Sequence, residues 1–335
     1  MQAAILGANG YAGMVLTRLL LNHPEIDSII CASRSMAGTR ITEYDPGISD
    51  AGTSHFTATD GRFISPDTVT QYAPDVVFSA LPHLVSADLC ADFIGKVPVF
   101  DLSADFRLRS DERFAAAYGQ ARPQPRLQDS AVYGLTEWYR EKLRTAQLVA
   151  CPGCYPTATM LPLIPLLRED MIQGCITVNA MSGITGAGRK ALTRLLYAER
   201  TENMEAYLPG SRHRHWNEIS QEIEAFSYTA ETPLKLLFTP HLIPAKQGML
   251  VTTAVELKNP ATEQRIHALL TEAYTDSPLV EILPVGEYPQ TRSVRGTGRC
   301  RIGIQLEDSH LLLFSAIDNL YKGASSQAVQ AMNIR

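Results

Sequence analysis

Residues Gly7-Ala8-Asn9-Gly10-Tyr11-Ala12-Gly13 follow directly on a short apolar run at 3–6 and open a stretch of helical periodicity at 11–22 that ends near Pro24. Three glycines at a strand-to-helix junction suit few purposes. They permit a sharp turn and a close approach of backbone to ligand, and the helix N-terminus then turns its unpaired N–H groups towards a pyrophosphate. The spacing is G-x-x-G-x-x-G, one residue longer than the commonest dinucleotide fingerprint, in the structural context that fingerprint requires. A glycine-rich turn with no ligand is the alternative.

Further apolar runs at 27–32, 75–80, 97–102 and 148–150 are separated by other elements, among them a helical pattern at 85–94. Strands alternating with helices predict an α/β, Rossmann-type domain with a parallel, doubly wound sheet. Dinucleotide sites specific for NAD place an Asp or Glu at the end of the second strand, where it binds the ribose 2′-hydroxyl. Here the chain reads Cys31-Ala32-Ser33-Arg34-Ser35, with no acid. Arg34 flanked by Ser33 and Ser35 suits a 2′-phosphate, so NADP(H) is the expected cofactor; a plain surface arginine is the alternative.

The second half is richer in strand patterns, at 176–181, 234–239, 250–257, 301–305 and 311–317, with helical patterns at 190–199 and 262–275. It reads as an α+β domain with a mostly antiparallel sheet. The last stretch, 323–333, is helical and is expected to return to the first domain. The division expected is 1–150 for the NADP-binding Rossmann domain, 151–315 for a substrate-binding, catalytic and oligomerisation domain, and 316–335 for the returning helix. The length of 335 residues suits two domains of about 150 residues each.

The formal net charge is −5 and Lys and Arg form no run, which gives no encouragement to a nucleic-acid partner or an anionic membrane surface. A small anionic substrate therefore needs local cations. No apolar stretch approaches the roughly 20 residues of a membrane span, and the N-terminus carries neither a basic segment nor a small-residue cleavage site. A cytoplasmic location is expected.

Six cysteines, at 31, 90, 151, 154, 175 and 300, are scattered rather than arranged as a disulfide framework. The segment Cys151-Pro152-Gly153-Cys154-Tyr155-Pro156-Thr157 places Cys154 at or near a helix start. Unpaired N–H groups and the helix dipole stabilise a thiolate there. Such a thiolate attacks a carbonyl, and the acyl-enzyme then accepts hydride from a nicotinamide. In Arg212-His213-Arg214-His215-Trp216-Asn217-Glu218, an extended backbone puts His213 and His215 on one side, with Glu218 able to orient either ring. A histidine there serves as base towards Cys154 and then as acid to the aldehyde oxygen. The same residues also allow a Cys₂His₂ zinc site, although His-x-His is not the usual gap, or a thiol-disulfide pair. Buried thiols with surface histidines remain a further alternative. No metal is expected.

Several segments, in order from residue 1 to about 333, resemble the N-acetyl-γ-glutamyl-phosphate reductase family, the arginine-biosynthesis relatives of the aspartate-semialdehyde dehydrogenases. They are the glycine turn, Asp101-Leu102-Ser103-Ala104-Asp105-Phe106-Arg107, Val132-Tyr133-Gly134-Leu135-Thr136-Glu137, Pro152-Gly153-Cys154-Tyr155-Pro156-Thr157, Ser182-Gly183-Ile184-Thr185-Gly186-Ala187-Gly188-Arg189, His213-Arg214-His215, Pro240-His241-Leu242-Ile243-Pro244 and Asp318-Asn319-Leu320-Tyr321-Lys322-Gly323-Ala324. The resemblance implies NADPH-dependent reduction of an acyl phosphate to an aldehyde, with release of inorganic phosphate through a thioester on Cys154. It also implies His213, His215 and Glu218 in the catalytic pocket and Arg107 on the leaving phosphate, where its planar guanidinium suits a bidentate contact. Ser182 and Gly183 would lie on the substrate side, and Gly186, Asn319 and Lys322 would be further cofactor contacts. A homodimer or homotetramer is implied as well. The same chemistry on aspartyl phosphate or a carrier-linked aminoadipyl phosphate, or a non-catalytic NADP-binding sensor, are the alternatives. Asn217 stands where the family usually has Pro, Gln247 where many members have Arg before Gly248, and Gly298 where Asn is common.

Overall fold

The apolar runs of the first half pair as a parallel sheet. In the computed structural model, which describes residues 1–48, 50–227 and 233–335, the strands β1 (Gln2–Leu6), β2 (Ser28–Ala32), β3 (Val76–Ser79), β4 (Val99–Asp101), β5 (Ala131–Tyr133) and β6 (Leu148–Ala150) take the order β2-β1-β3-β4-β6-β5. Every pairing in this sheet is parallel. Its strands are buried on both faces, so they read as continuous apolar runs rather than as alternation. Along β1, Ala3 and Ile5 enter one core while Ala4 and Leu6 enter the other. The first core is closed by Leu16 and Leu20 of the helix Tyr11–Leu20 and by Ala328, Ala331 and Met332 of the last helix, Ser326–Ile334. The second is closed by Ala87, Cys90 and Phe93.

By contact density the chain forms two units, one of Met1–Pro152 with Ala324–Arg335, the other Gly153–Gly323. Within the first unit the last helix is tied down by Gln327 donating to Gly134 O and Arg335 donating to Ala146 O. The second unit is built on a sheet of β7 (Ile172–Ser182), β8 (Glu205–Ala206), β9 (Lys235–Leu242), β10 (Met249–Leu257), β11 (Val280–Ile282), β12 (Cys300–Glu307) and β13 (His310–Ile317), in the order β11-β12-β13-β10-β7-β9-β8. The expectation of a mostly antiparallel sheet holds for four of its pairings, but β7–β9 and β11–β12 are parallel, which makes the sheet mixed.

Two helical expectations and one extended one need correction. The pattern at 190–199 forms only a 3₁₀ turn, Thr193–Leu195, and a single helical turn, Tyr197–Arg200; Leu196 and Tyr197 are exposed, so no core holds a longer helix. The pattern at 85–94 shortens to Ser86–Cys90. The region at 213–215, read as extended, instead starts a helix, Arg214–Phe226. No helix among the described residues is long and apolar enough to cross a membrane.

The helix Cys154–Arg168 is buried on all sides from Tyr155 to Leu167, although Pro162 and Pro165 interrupt it. Each proline lacks the N–H that would bond four residues back, which orphans a buried carbonyl. Both carbonyls are answered from elsewhere in the unit. Ser315 Oγ, on β13, donates to Ala158 O at 2.6 Å. The Tyr274 hydroxyl, just beyond the helix Glu263–Ala273, donates to Leu161 O. Replacing either hydroxyl leaves a buried acceptor bare, so Ser315→Ala and Tyr274→Phe are each expected to lower unfolding free energy by about 1–3 kcal/mol in denaturant titrations. Unchanged midpoints in both variants would show that these bonds do not support the helix.

Candidate active site

The glycine turn of the first unit has the geometry its sequence requires. Gly7 adopts φ +79°, and a Cβ there would lie 2.8 Å from Ala80 O. A Cβ on Gly13 would overlap Gly7 O and lie 2.6 Å from Ala8 Cα. Gly10 caps the helix Tyr11–Leu20 without a side-chain bond, and the first turn carries no acid to compete with an anion. Tyr44 OH donates to Asn9 O at 2.5 Å, and Asn9 Nδ2 donates to Ser35 Oγ at 3.3 Å. Ser33 is buried with its N–H on Ile64 O, whereas Arg34 projects into solvent 3.7 Å from Asp67. The turn thus offers a side-chain-free cradle at a helix N-terminus, with an exposed guanidinium at the end of β2. The residues present fit a dinucleotide bearing a 2′-phosphate.

In the same unit, Arg107 is buried, its Nε donating to Cys151 O and its Nη2 to Leu102 O, both at 2.8 Å. The turn leading to it is held by Asp101, which accepts from Ser103 N, Ser103 Oγ and Ser86 Oγ. Burial raises the Asp101 carboxyl to about 6, against the pull of those hydrogen bonds.

In the second unit, Cys154 is the first residue of its helix, half-buried and capped by Gly153, with no acid in the first turn. His213 is the N-cap of the helix Arg214–Phe226, and its Nδ1 accepts the His215 N–H at 3.1 Å. The two histidines therefore converge through a cap and a first helical turn rather than along an extended strand. Their rings lie 4.9 Å apart, each edge-on to Tyr155. Glu218, one turn further along, is buried and accepts the Gly153 N–H at 2.9 Å. A Cβ on Gly153 would overlap His215 Nε2 and lie 2.7 Å from Cε1. Position 153 is thus glycine because the imidazole occupies that space, at the very start of the Cys154 helix. On another side, a Cβ on Gly323 would lie 2.6 Å from Cys154 Cβ.

Burial pushes the His213 imidazole down to about 4, with Arg214 adding to the effect. The Tyr155 hydroxyl meets that of Tyr207 at 2.8 Å, and burial raises both phenols. This tyrosine pair left no signal in the sequence beyond one tyrosine following Cys154. Among the remaining expected residues, Gly183, Ile184 and Thr185 pair by their N–H groups with Gly248, Ala245 and Lys246 carbonyls. A Cβ on Gly183 would lie 2.7 Å from the Gln247 backbone, Ser182 is buried, and Gly186 stands next to Ser182 Oγ and Asn319. Asn319 bridges these segments, accepting from Gly248 N and donating to Thr185 Oγ1, and Lys322 is fully buried. Gln247 Nε2 donates to Asp318 Oδ2 at 2.6 Å, so at this position an amide serves a buried carboxylate of the chain itself. Among the described residues no group of three or more His, Cys, Asp or Glu is placed to hold a metal ion, and the cysteines are free thiols.

The chain matches two family models: "Semialdehyde dehydrogenase, NAD binding domain" over residues 2–146 and "Semialdehyde dehydrogenase, dimerisation domain" over residues 154–319. Among curated relatives, proteins named N-acetyl-gamma-glutamyl-phosphate reductase from Acidithiobacillus ferrooxidans and Saccharophagus degradans are 41% and 40% identical, each match covering 99% of this chain and 94% of the relative. One from Azotobacter vinelandii is 40% identical over 100% of this chain and 95% of its own. Among solved structures, aspartate semialdehyde dehydrogenase II from Vibrio cholerae superposes with a TM-score of 0.74 at 16% identity, covering 99% of this chain and 97% of that one. The Candida albicans aspartate semialdehyde dehydrogenase with NADP reaches 0.68 at 18%, with the same coverage. At those identities the structural likeness speaks for the fold.

Two measurements follow from this geometry. Burial pushes the Cys31 and Cys90 thiols up to about 12 and raises Cys151 as well. Iodoacetamide at neutral pH is therefore expected to label Cys154 at least about tenfold faster than Cys31, Cys90 or Cys151, and peptide mapping that finds the fast label on any of those three would contradict the assignment. His213 titrates near 6.5 when unfolded and near 4 when folded. Above pH 6.5 both states are neutral; as pH falls towards 4 only the unfolded chain gains the proton, and the native state loses on the order of 3 kcal/mol. His213→Asn, which retains a capping side chain, should remove that share of the acid destabilisation; parallel stability curves for the two chains would refute it.

Proposed function

The chain belongs to the N-acetyl-γ-glutamyl-phosphate reductases of the semialdehyde dehydrogenase superfamily, and from that membership we propose how its own residues carry the reaction. It reduces N-acetyl-γ-glutamyl phosphate to N-acetylglutamate 5-semialdehyde with release of phosphate, a step of arginine biosynthesis. NADPH, when bound, supplies the hydride. Gly7, Gly10 and Gly13, with the Tyr11 and Ala12 amides and Asn9, hold its pyrophosphate; Ser33, Arg34 and Ser35 take the 2′-phosphate; Gly186, Asn319 and Lys322 complete its contacts.

The observation that carries the mechanism is a thiol on the first residue of a helix whose capping glycine is in contact with an imidazole. His215 takes the proton from Cys154, and the helix N-terminus favours the thiolate. The thiolate attacks the γ-carbonyl; the tetrahedral adduct collapses with loss of inorganic phosphate, whose charge Arg107 receives, and leaves a thioester. N–H groups at the start of the Cys154 helix stabilise the oxyanion. After reduction, collapse of the hemithioacetal releases the aldehyde and returns the thiolate, which regains its proton from His215. His213, neutral and committed through Nδ1 to the His215 N–H, holds that residue in place, and Glu218 fixes the Gly153 amide. Ser182 and Gly183 border the substrate.

The working form we propose is a cytoplasmic homodimer or homotetramer. Leu196, Tyr197, Met204, Leu208 and Leu237 expose apolar surface in the second unit, the part that matches a dimerisation-domain model. The deciding assay is phosphate-dependent reduction of NADP⁺ with N-acetylglutamate semialdehyde, alongside aspartate semialdehyde and NAD⁺. Activity is expected only with the acetylated aldehyde and NADP⁺, and Cys154→Ser should lower it roughly a thousandfold or more while still binding NADPH. Retained turnover in that variant would exclude the thioester route.

A further inference from the structure

Asp105 lies two residues before Arg107, yet its carboxylate serves a different loop. It is fully buried; Oδ1 accepts the Leu84 N–H at 2.6 Å and Oδ2 the Ala87 N–H at 3.0 Å. Leu84 has φ +67°, the left-handed region that a branched side chain rarely adopts without an outside constraint. The loop at 80–85 that contains it leaves the carboxyl end of β3, which neighbours β1 in the sheet. It begins in contact with the glycine turn, since the space a Gly7 Cβ would need is filled by Ala80 O and Leu81 N. In an open parallel sheet the crevice at such adjoining carboxyl ends is where a dinucleotide sits.

We infer that Asp105 is a positioning residue of the dinucleotide site: its carboxylate clamps Leu84 in the left-handed conformation and so holds the 80–85 loop against the phosphate-binding turn. This rests on the reading of the first unit as the NADPH-binding one. A carboxylate is required because both partners are donors and each oxygen takes one. The amide of Asn accepts at only one position and presents a donor at the other. In Asp105→Asn, therefore, one of the two N–H groups faces an amide NH₂ instead of an acceptor; the two-point clamp is broken, and Leu84 is released to an extended or right-handed backbone wherever its own N–H is the one left without an acceptor. Glycine at 84 adopts the left-handed conformation without help, so a glycine there makes the clamp dispensable.

The experiment is calorimetric titration of NADPH into the full-length protein and its variants, with thermal melting run in parallel. Asp105→Asn is expected to weaken NADPH binding about tenfold, the scale of a left-handed penalty on one residue. Leu84→Gly alone should bind within about twofold of the parent. The double variant should regain most of the lost affinity, a rescue that a generally loosened fold would not show. The inference is overturned if Asp105→Asn binds NADPH as the parent does, if Leu84→Gly fails to restore binding, or if the aspartate variant does not fold even with glycine at 84. Absence of NADPH binding by the parent chain is a separate result; it would overturn the functional reading, and this inference with it.

Discussion

A single buried hydrogen bond, from the Gly153 N–H to the Glu218 carboxylate, joins the starts of the two helices that carry Cys154 and His215. Cys154 begins one of them and His215 lies in the first turn of the other. Helix ends are normally capped by their own N-cap side chain. Gly153 has none, because His215 fills the space where a side chain would stand. The cap is therefore supplied from the neighbouring helix, and the residue that vacates the space and the residue that supplies the bond lie on either side of the same junction. Neither helix can shift along the other without breaking a buried bond or driving the imidazole into backbone, and the geometry of thiol and imidazole follows from that constraint.

The two histidines show how one dipeptide spacing yields two roles. His213 caps, and burial keeps it neutral. A ring whose Nδ1 accepts a backbone N–H has a fixed tautomer and a fixed orientation, which suits a support better than a proton carrier. His215 lies against the glycine that precedes the thiol. The first unit works in a similar way: its polar side chains, Asp101, Ser86, Ser103 and Asp105, are turned inward on one another and on main-chain N–H groups, so they shape loops.

Much of this was legible in the residues. A doubly wound sheet follows from apolar runs buried on both faces, and the glycine turn lies where the helix N-terminus needs it, because both depend on local conformation. The proximity of His213 and His215 was legible too, although for the wrong reason: alternation on an extended strand and a cap followed by a first turn both bring residues two apart together. The helix Arg214–Phe226 was missed because its start is a histidine cap, which lacks the usual Ser, Thr, Asp or Asn signal. The longer helix expected at 190–199 failed for lack of burial, which no local pattern records. Contacts such as Ser315 with Ala158 or Glu218 with Gly153 join residues far apart in the chain, and their partners could not be read from spacing.

The two prolines in the Cys154 helix bear on when the helix start at Cys154 comes into being. With interior N–H groups missing and buried carbonyls answered by Ser315 and Tyr274, the segment does not hold a helix by its own bonds alone. The hydroxyls come from more than 100 residues downstream. Until that later chain has been made and docked, there is no helix terminus to favour the thiolate. A growing or unfolded polypeptide thus carries a thiol at 154 without the helix start on which Cys154 stands in the finished protein.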